Sequence, residues 1–497
     1  VAFPLGEQGV SHDVAEGKKK LAGPLMWVVS CIVGIGIGVV LAKLAPGLIA
    51  PDALARAGYD GPAPVIPLWL CAPFALLLAS IALMPFVSGH FWHDHFPDFA
   101  FFFGGIVAAY YAVAFDMPFV HGTSYGVYTM LHAGLEYYAF IALVVGLFVV
   151  SGGIVIDVQG HADARMNTIL LAIGAVLANL VGTTGASMLL VRPFMRLNAG
   201  RIKALHVVFF IFIVSNCGGA LTPIGDPPLY LGFIKGVPFA WTIEHLWQDW
   251  LLVNGLLLVA FFVFDSRVGH PEGKAKEKFH FRVRGRAGVV CLLLMLVGVF
   301  VDPMLKKLAN FDGFPVGATM QAVVAISAYF LAGKDLHKAN HFDLFPAKEV
   351  GLLFLGIFAT MAPALGYLAE NGAKLGINTP TAFYFATGSL SAVLDNAPTY
   401  LNFFQAAFGA GEMNAATIHA WLLDPVHSGD LHAISTAAVF FGAMTYIGNG
   451  PNFMVRSIAQ SWSIKMPSFF GYLGWAAAIL LPILVLNWFL FFVVWPR

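Results

Sequence analysis

Apolar runs long enough to cross a bilayer recur along the whole chain, separated by short polar stretches. A membrane helix needs roughly 20 apolar residues. Stretches of that kind predict crossings near 22–44, 65–87, 98–115, 134–157, 203–235, 247–265, 287–307, 316–332, 348–368, 433–460 and 471–494. Two further stretches, about 167–197 and 380–409, are apolar but broken by Gly, Pro and polar residues. They read as hairpins that enter the membrane and return on the same side, because irregular backbone at that depth must be buried in protein or line a cavity. The expected class is therefore an all-α polytopic membrane protein with about 11 transmembrane helices and two re-entrant hairpins. Its expected parts are a segment 1–64 with one extra transmembrane helix, a first repeat 65–265, a cytoplasmic linker 266–286 and a second repeat 287–497.

Composition agrees: 59% of residues are hydrophobic and 11% charged, against about 25% charged in soluble domains. The formal net charge of zero gives no reason to expect a nucleic-acid partner. Cys31, Cys71, Cys217 and Cys291 sit in apolar segments and read as buried thiols, not a disulfide framework. The chain starts at Val1 without an initiator Met, as expected of a processed or trimmed terminus. Leu21 to Leu44, after Lys18–Lys20, is too long for a signal peptide and reads as a span. With the N-terminus inside and the hairpins returning, twenty of the 27 Lys and Arg fall on the cytoplasmic side and seven outside, as the positive-inside rule requires. Making either hairpin a single crossing inverts everything downstream. The linker DSRVGHPEGKAKEKFHFRVRGR, Asp265 to Arg286, reads as a solvated cytoplasmic loop.

The second half repeats the first. GALTPIGDPP from Gly219 matches GAMTYIGNGP from Gly442, so Asp226 faces Asn449. VGTTGA from Val181 lines up with LDNAPT from Leu394, and GLFVVSGG from Gly146 with GIFATMAP from Gly356. Beyond the first span each half has five crossings. An odd number places the halves in opposite senses, and inverted repeats with paired discontinuous segments mark transporters. The plainer alternative is that Gly and Pro only allow helices to pack closely.

The run SNCGGALTPIGDPPLYLGF, Ser215 to Phe233, breaks a helix at mid-membrane and places a carboxylate in the break. Such a break frees backbone groups, and half-helix ends carry partial charges, positive at N-termini and negative at C-termini. Pro227 and Pro228 stop the helix from continuing, and Gly225 and Gly448 let the backbone turn and a ligand approach. Two carboxylates occupy the broken motifs, Asp226 and Asp395. The matched segments add Thr183, Thr184, Ser187, Asn216, Thr222, Asn396, Thr399, Thr445, Asn449 and Asn452. No Lys or Arg lies at the core of these segments; Arg192 comes five residues after Ser187. Hard oxygen ligands without a fixed positive charge suit Na⁺ or Li⁺, with Asp395, Asp226, Asn396 and Thr183 as the expected Na⁺ ligands. An intramembrane carboxylate marks an ion or proton pathway by default, and one carboxylate serving both ions gives exchange by competition. The alternative is that either Asp only caps a broken helix. No cofactor is expected beyond the transported ion.

The NLVGTTGAS hairpin, the SNCGGALTPIGDPP break and the LDNAPTY hairpin resemble the ion transporter superfamily. They most resemble NhaD-type Na⁺/H⁺ antiporters and a related citrate-transporter group, over roughly residues 65–495. The resemblance implies two inverted repeats, a homodimer, and a scaffold with an elevator-like moving domain. It implies one half-site at Gly182–Ser187 with Asn216–Asp226, and another at Asp395–Thr399 with Thr445–Asn452. It also implies a bacterial inner-membrane location, with the N-terminus cytoplasmic from the charge bias. Dicarboxylate members carry Ser-Asn-Thr at the hairpin tips, where this chain has GTTGAS and DNAPT. That favours a Na⁺(Li⁺)/H⁺ antiporter, while GDPPLYLG is closer to the citrate group. The rival reading is a Na⁺- or H⁺-coupled carrier of a citrate-like carboxylate or an oxyanion, which needs helix N-termini or Arg192 aimed at the substrate. An enzyme is not expected. An intramembrane aspartyl protease wants Gly-x-Gly-Asp and Tyr-Asp, whereas here Pro223-Ile224-Gly225 precedes Asp226 and Leu394 precedes Asp395.

Two polar features remain. GHFWHDHF, with His90, His93, Asp94 and His95, reads as a wet helix end, a pH sensor or a metal site. Glu136 and Glu349 read as structural acids at the starts of two repeat-related helices.

Overall fold

The computed structural model describes residues 13–45, 48–50, 63–119, 122–159, 162–268, 280–309, 311, 314–340, 342–411 and 413–496. The first half contains α1 (Asp13–Leu44), α2 (Ala72–Val87), α3 (Gly89–Ala114), α4 (Tyr125–Gly152), α5 (Ala164–Leu197), α6 (Ala204–Ile213), α7 (Pro227–Ile234) and α8 (Phe239–Asp265). The second contains α9 (Arg286–Ala309), α10 (Val316–Ala339), α11 (Phe345–Asn371), α12 (Pro380–Ser391), α13 (Asn396–Phe408), α14 (Ala415–Leu422), α15 (Pro425–Phe441) and α16 (Gly450–Ser461). A last span, α17 (Phe469–Val494), includes two π-helical stretches. Two small antiparallel ribbons, β1 (Leu48–Ala50) with β2 (Ala63–Val65) and β3 (Val155–Gln159) with β4 (His280–Arg284), complete the described residues.

Among the described residues, ten helices are long and apolar enough to cross a membrane. Nine of them coincide with expected continuous crossings. The expected crossings at 203–235 and 433–460 are each two helices flanking an irregular stretch, α6 with α7 and α15 with α16. The tenth long helix is α5, where a hairpin was expected. At 1.5 Å per residue its 34 residues would stretch about 50 Å if straight. Instead its ends meet. Ala162 N–H donates to the Leu197 carbonyl at 3.0 Å, and Asn167 and Asn198 exchange amide hydrogen bonds at 2.8 and 2.7 Å. The chain doubles back at Gly182, whose φ of 75° and ψ of 154° suit glycine alone.

Burial sorts the helices. In α6 every residue from Leu205 to Ile213 is buried, and in α15 every residue from Ser428 to Phe441. Helices apolar and covered all round form the centre of a large membrane protein. By contrast α1 exposes Leu25, Val28, Ile32 and Val40. It is held from one side, where Gly34 and Gly38 lie against the backbone carbonyls of Phe102 and Ile106 in α3, the close approach that small residues permit between membrane helices.

The base of the doubled-back α5 is fastened by a buried polar network. The Arg201 guanidinium donates to Asp265 Oδ1 at 2.5 Å, to the Ala162 carbonyl at 3.1 Å and to Asn198 Oδ1 at 3.0 Å. Asp265 also accepts from Asn167 at 2.8 Å, and His206 Nε2 lies 3.0 Å from it. Both ends of α5, the start of α6 and the end of α8 therefore share one buried polar cluster.

Two expectations change. The linker is not solvated loop throughout, because its end forms β4 and pairs with β3, with Arg284 donating to Asp157 at 2.5 Å; residues 269–279 lie outside the described residues, as do 1–12 and 51–62 of the N-terminal segment. Glu136 does not begin a helix. It lies three turns into α4, where Lys235, at the end of α7, donates to it at 2.5 Å and His132 Nε2 lies 3.0 Å away. α4 starts earlier, where Ser124 caps it by accepting from Val127 N–H. The His cluster is spent in pairs, His90 and His93 with Asp94 and His95 with Asp98 at 2.8 Å, while the His93 ring stacks on Phe345. Among the described residues no group of three or more His, Cys, Asp or Glu is arranged to hold a metal. All four cysteines are free thiols, with Cys217 and Cys291 buried.

Candidate functional site

Asp226 is the hub of the broken segments. It is 1% exposed and stands just before α7, in extended conformation. Pro227 and Pro228 start that helix without using N–H donors, so the carboxylate is free to turn away from it. Its Oδ1 accepts from Thr183 Oγ1 at 2.6 Å and from Asn449 Nδ2 at 3.0 Å. Its Oδ2 accepts from Asn396 Nδ2 at 2.6 Å. Thr183 follows the Gly182 turn, Asn396 starts α13, and Asn449 precedes α16. One carboxylate thus joins both breaks and both interrupted stretches.

Aligned positions of the two halves make the same backbone contacts. Thr183 N–H donates to the Gly225 carbonyl at 2.8 Å, and Asn396 N–H to the Gly448 carbonyl at 3.2 Å. Thr222 Oγ1 donates to the Asn179 carbonyl at 2.6 Å, and Thr445 Oγ1 to the Ala392 carbonyl at 2.5 Å. Gly225 packs on the Gly219 carbonyl and Gly448 on that of Gly442, leaving no room for a Cβ. The difference lies at the paired positions Asp226 and Asn449, where one half supplies the charge and the other an amide that binds it.

The remaining expected residues divide into two groups. Asn216 Nδ2 donates to Asn452 Oδ1 at 2.6 Å, and Asn452 Nδ2 donates to the carbonyls of Gly442 and Thr445 at 2.8 and 2.9 Å. Ser187 Oγ shares a hydrogen bond with Ser215 Oγ at 2.7 Å. These tie the first break to the second and to α5. Thr222, Thr399 and Thr445 bond to backbone carbonyls and shape turns. Thr184 is half-buried and lines a small cavity beside Asp226 together with Leu143, Leu147, Thr183 and Tyr230. That cavity of about 20 Å³ takes a water-sized occupant, against roughly 300–1,000 Å³ for small-molecule pockets. The buried Oδ1 atoms of Asn216 and Asn396 have no hydrogen-bond donor. The two side chains both approach Gly442, where a Cβ would meet Asn396 Nδ2 at 3.2 Å and Asn216 Oδ1 at 3.3 Å.

Asp395 has a different position. It is half-buried, and its Oδ1 accepts from Ala397 N–H at 3.0 Å as the N-cap of α13. It shares no hydrogen-bond partner with Asp226. Ser caps as well as Asp, and loss of a cap costs about 1 kcal/mol. Asp395→Ser is therefore expected to retain most transport and stability, and Asp395→Ala to lower the melting temperature; loss of transport in the Ser variant with the fold intact would make Asp395 more than a cap.

Electrostatics follow from helix ends. The N-termini of α7, α13 and α16, and of the second arm of α5, gather around Asp226. Their partial positive charges favour an anion there. Among the described residues no Lys or Arg pairs with Asp226.

A family profile described as "Putative citrate transport" matches residues 63–492. The chain belongs to this citrate transport family. The match takes in every site segment, from α2 to α17, and leaves out α1. Family membership makes the chain a multi-pass membrane transporter and not an enzyme. It favours the citrate branch of the resemblance and does not single out the antiporter branch. No curated protein matches the chain.

Several residues of this citrate-family transporter were not expected. Asn179 Nδ2 donates to the Gly218 carbonyl at 2.6 Å and its Oδ1 accepts from Leu221 N–H at 2.8 Å, so it moulds the first break. Trp250 and Asn254 of α8 donate to the carbonyls of Gly218 and Cys217 at 2.7 and 3.1 Å. Asp249 meets His432 and Asn487 in a buried trio. The available signal was isolated polar residues in an otherwise apolar helix, as with Asp249 and Asn254 in WQDWLLVN.

Proposed function

We propose that Asp226 binds the coupling cation, Na⁺ or H⁺, of a secondary transporter for citrate-like carboxylates. The observation that carries this is a fully buried carboxylate held by three neutral donors, one of them Asn396, whose own buried amide oxygen, like that of Asn216, has no donor. A buried charge without a charged partner is costly. A bound Na⁺ or a proton removes that charge, and hard oxygens are the ligands such a cation takes. Asp226, Asn396, Thr183 and Asn216 supply them, with Asn449 fixing the carboxylate. The carboxylate cargo is supported by the family profile and by the gathered helix N-termini, which suit an anion once Asp226 is neutralised.

A second reading is exchange of Na⁺ or Li⁺ for H⁺ at the same carboxylate. It is supported by the cavity of about 20 Å³, which suits an ion and not a tricarboxylate. In both readings the two halves are inverted repeats, which their matching contacts support, with the α5 and α12–α13 stretches as hairpins entering from opposite sides. Alternating access then moves these segments against the surrounding helices, in a homodimer of the kind the resemblance implies.

The test is transport by the purified protein in liposomes holding a pH dye, with Na⁺, Li⁺, K⁺ or labelled citrate supplied outside. Citrate uptake driven by a Na⁺ or proton gradient supports the first reading. Collapse of a proton gradient by Na⁺ or Li⁺ alone, with no citrate movement, supports the second. If neither cation nor citrate moves, both are wrong.

A further inference from the structure

A second ionisable group lies inside the membrane-spanning region, away from Asp226. Asp249 of α8 is 0% exposed, His432 of α15 is 2% exposed and Asn487 of α17 is 0% exposed. His432 Nε2 lies 2.8 Å from Asp249 Oδ2, and Asn487 Nδ2 donates to Asp249 Oδ1 at 2.8 Å. Among the described residues no Lys or Arg pairs with Asp249. With a neutral imidazole the pair carries one negative charge, and one added proton brings it to zero. Desolvation sets a large energy difference between a buried net charge and a neutral ion pair. Ionisable residues inside spans are functional by default.

The position of the pair gives it something to act on. Trp250, next to Asp249, donates to the Gly218 carbonyl at 2.7 Å, and Asn254, one turn on, donates to the Cys217 carbonyl. Gly218 also accepts from Asn179, four residues before Thr183, which binds Asp226. On the other side, α15 runs from His432 directly into the second break at Gly442. The pair is therefore the clasp between the helix that grips the first break and the helix that leads into the second.

We propose that the Asp249–His432 pair is a proton-carrying site, distinct from Asp226, whose occupancy is coupled to the broken segments through α8 and α15. This rests on the transporter reading above. One proton enters, an N–H bond forms on the imidazole, and the same bond breaks when the proton leaves; no other bond changes. Of the titratable groups nearby, Tyr384 of α12 faces Asp249 and donates its hydroxyl to the Leu484 carbonyl at 3.0 Å, Cys217 of the first break is a neighbour of Tyr384, and Asp430 precedes His432 by two residues on α15. From α17 the Phe492 ring lies 4.7 Å from the imidazole.

Two measurements on the full chain test this. The first follows the imidazole resonances of ¹⁵N-histidine-labelled protein over roughly pH 5 to 9, with His432 assigned as the signal absent from His432→Gln. Gln keeps an N–H donor toward Asp249. If that variant does not fold, Phe492→Leu leaves the pair's hydrogen bonds in place and assigns the same signal by its shift. The expected result is a titration that moves when Na⁺ or citrate is added; a signal that stays constant over the range overturns the proposal. The second compares modes in liposomes. His432→Gln is expected to keep citrate exchange at equal pH, or Na⁺ exchange if citrate is not carried. It should lose proton-driven accumulation about ten-fold or more, within the usual range of coupling between sites. Unchanged proton-driven accumulation, or equal loss of both modes in a folded variant, overturns it. The resonance titration reads out even if neither citrate nor Na⁺ is transported, so failure of the transporter reading is distinguishable from failure of this one.

Discussion

Asp226→Asn is expected to reduce gradient-driven uptake to the level of protein-free liposomes while the protein remains folded. The substitution keeps the shape of the side chain and removes its charge. Thr183, Asn396 and Asn449 all donate to Asp226, and an amide offers them one oxygen where the carboxylate offers two. One donor then faces an N–H₂ group, at a cost of about 1–3 kcal/mol. Against this, a buried negative charge without a cationic partner is removed, which offsets part of the cost. The melting temperature in detergent should therefore move by only a few degrees, in the range that about 1 kcal/mol produces. Transport has no such compensation, because the cation loses its one charged ligand. Uptake by Asp226→Asn at the wild-type rate would remove Asp226 from the coupling site.

Asp265→Leu is expected to cause the largest loss of stability. Arg201 and Asp265 are 5% and 0% exposed, and the carboxylate also serves His206 and Asn167. Removing it leaves a guanidinium buried without its counter-charge, which costs about 3–5 kcal/mol. The loss falls on the joint that holds both ends of α5, the start of α6 and the end of α8 together. Thermal unfolding followed by tryptophan fluorescence checks it, and the double variant Arg201→Met, Asp265→Leu should recover part of the loss because it removes the stranded charge as well. A single variant as stable as the wild type would show that the network contributes packing and little else. Asp226→Asn removes function with little stability; Asp265→Leu removes stability at a distance from the site.

Much of the architecture was legible along the chain because membrane spans are a one-dimensional signal. Hydropathy over about 20 residues is set by bilayer thickness, so α1 to α4, α8 to α11 and α17 fall where the apolar runs lie. The breaks were equally legible, since two adjacent prolines, Pro227 and Pro228, remove two helix donors directly after Gly225 and suit the start of a new helix. In α5 the Gly, Pro and polar residues predicted an interrupted stretch, and the backbone is non-helical at Gly182. The citrate group was named from local motifs, and the family profile supports it.

What the chain itself determined was which polar groups are buried; which of them meet was decided only by the tertiary structure. Asp226 and Asp395 looked alike in sequence, two carboxylates in two broken motifs. Packing gave Asp226 donors 43, 170 and 223 residues away and gave Asp395 an amide two residues away. Glu136 read as a helix-start acid until Lys235, 99 residues on, was placed beside it. Asp249, His432 and Asn487 lie in three separate apolar helices, and nothing local to any of them points to the other two. The physical reason is that hydropathy and helix period report each residue's exposure to lipid or protein. A hydrogen bond between distant segments depends on the rotation and depth of two helices together, and packing of the whole bundle sets both.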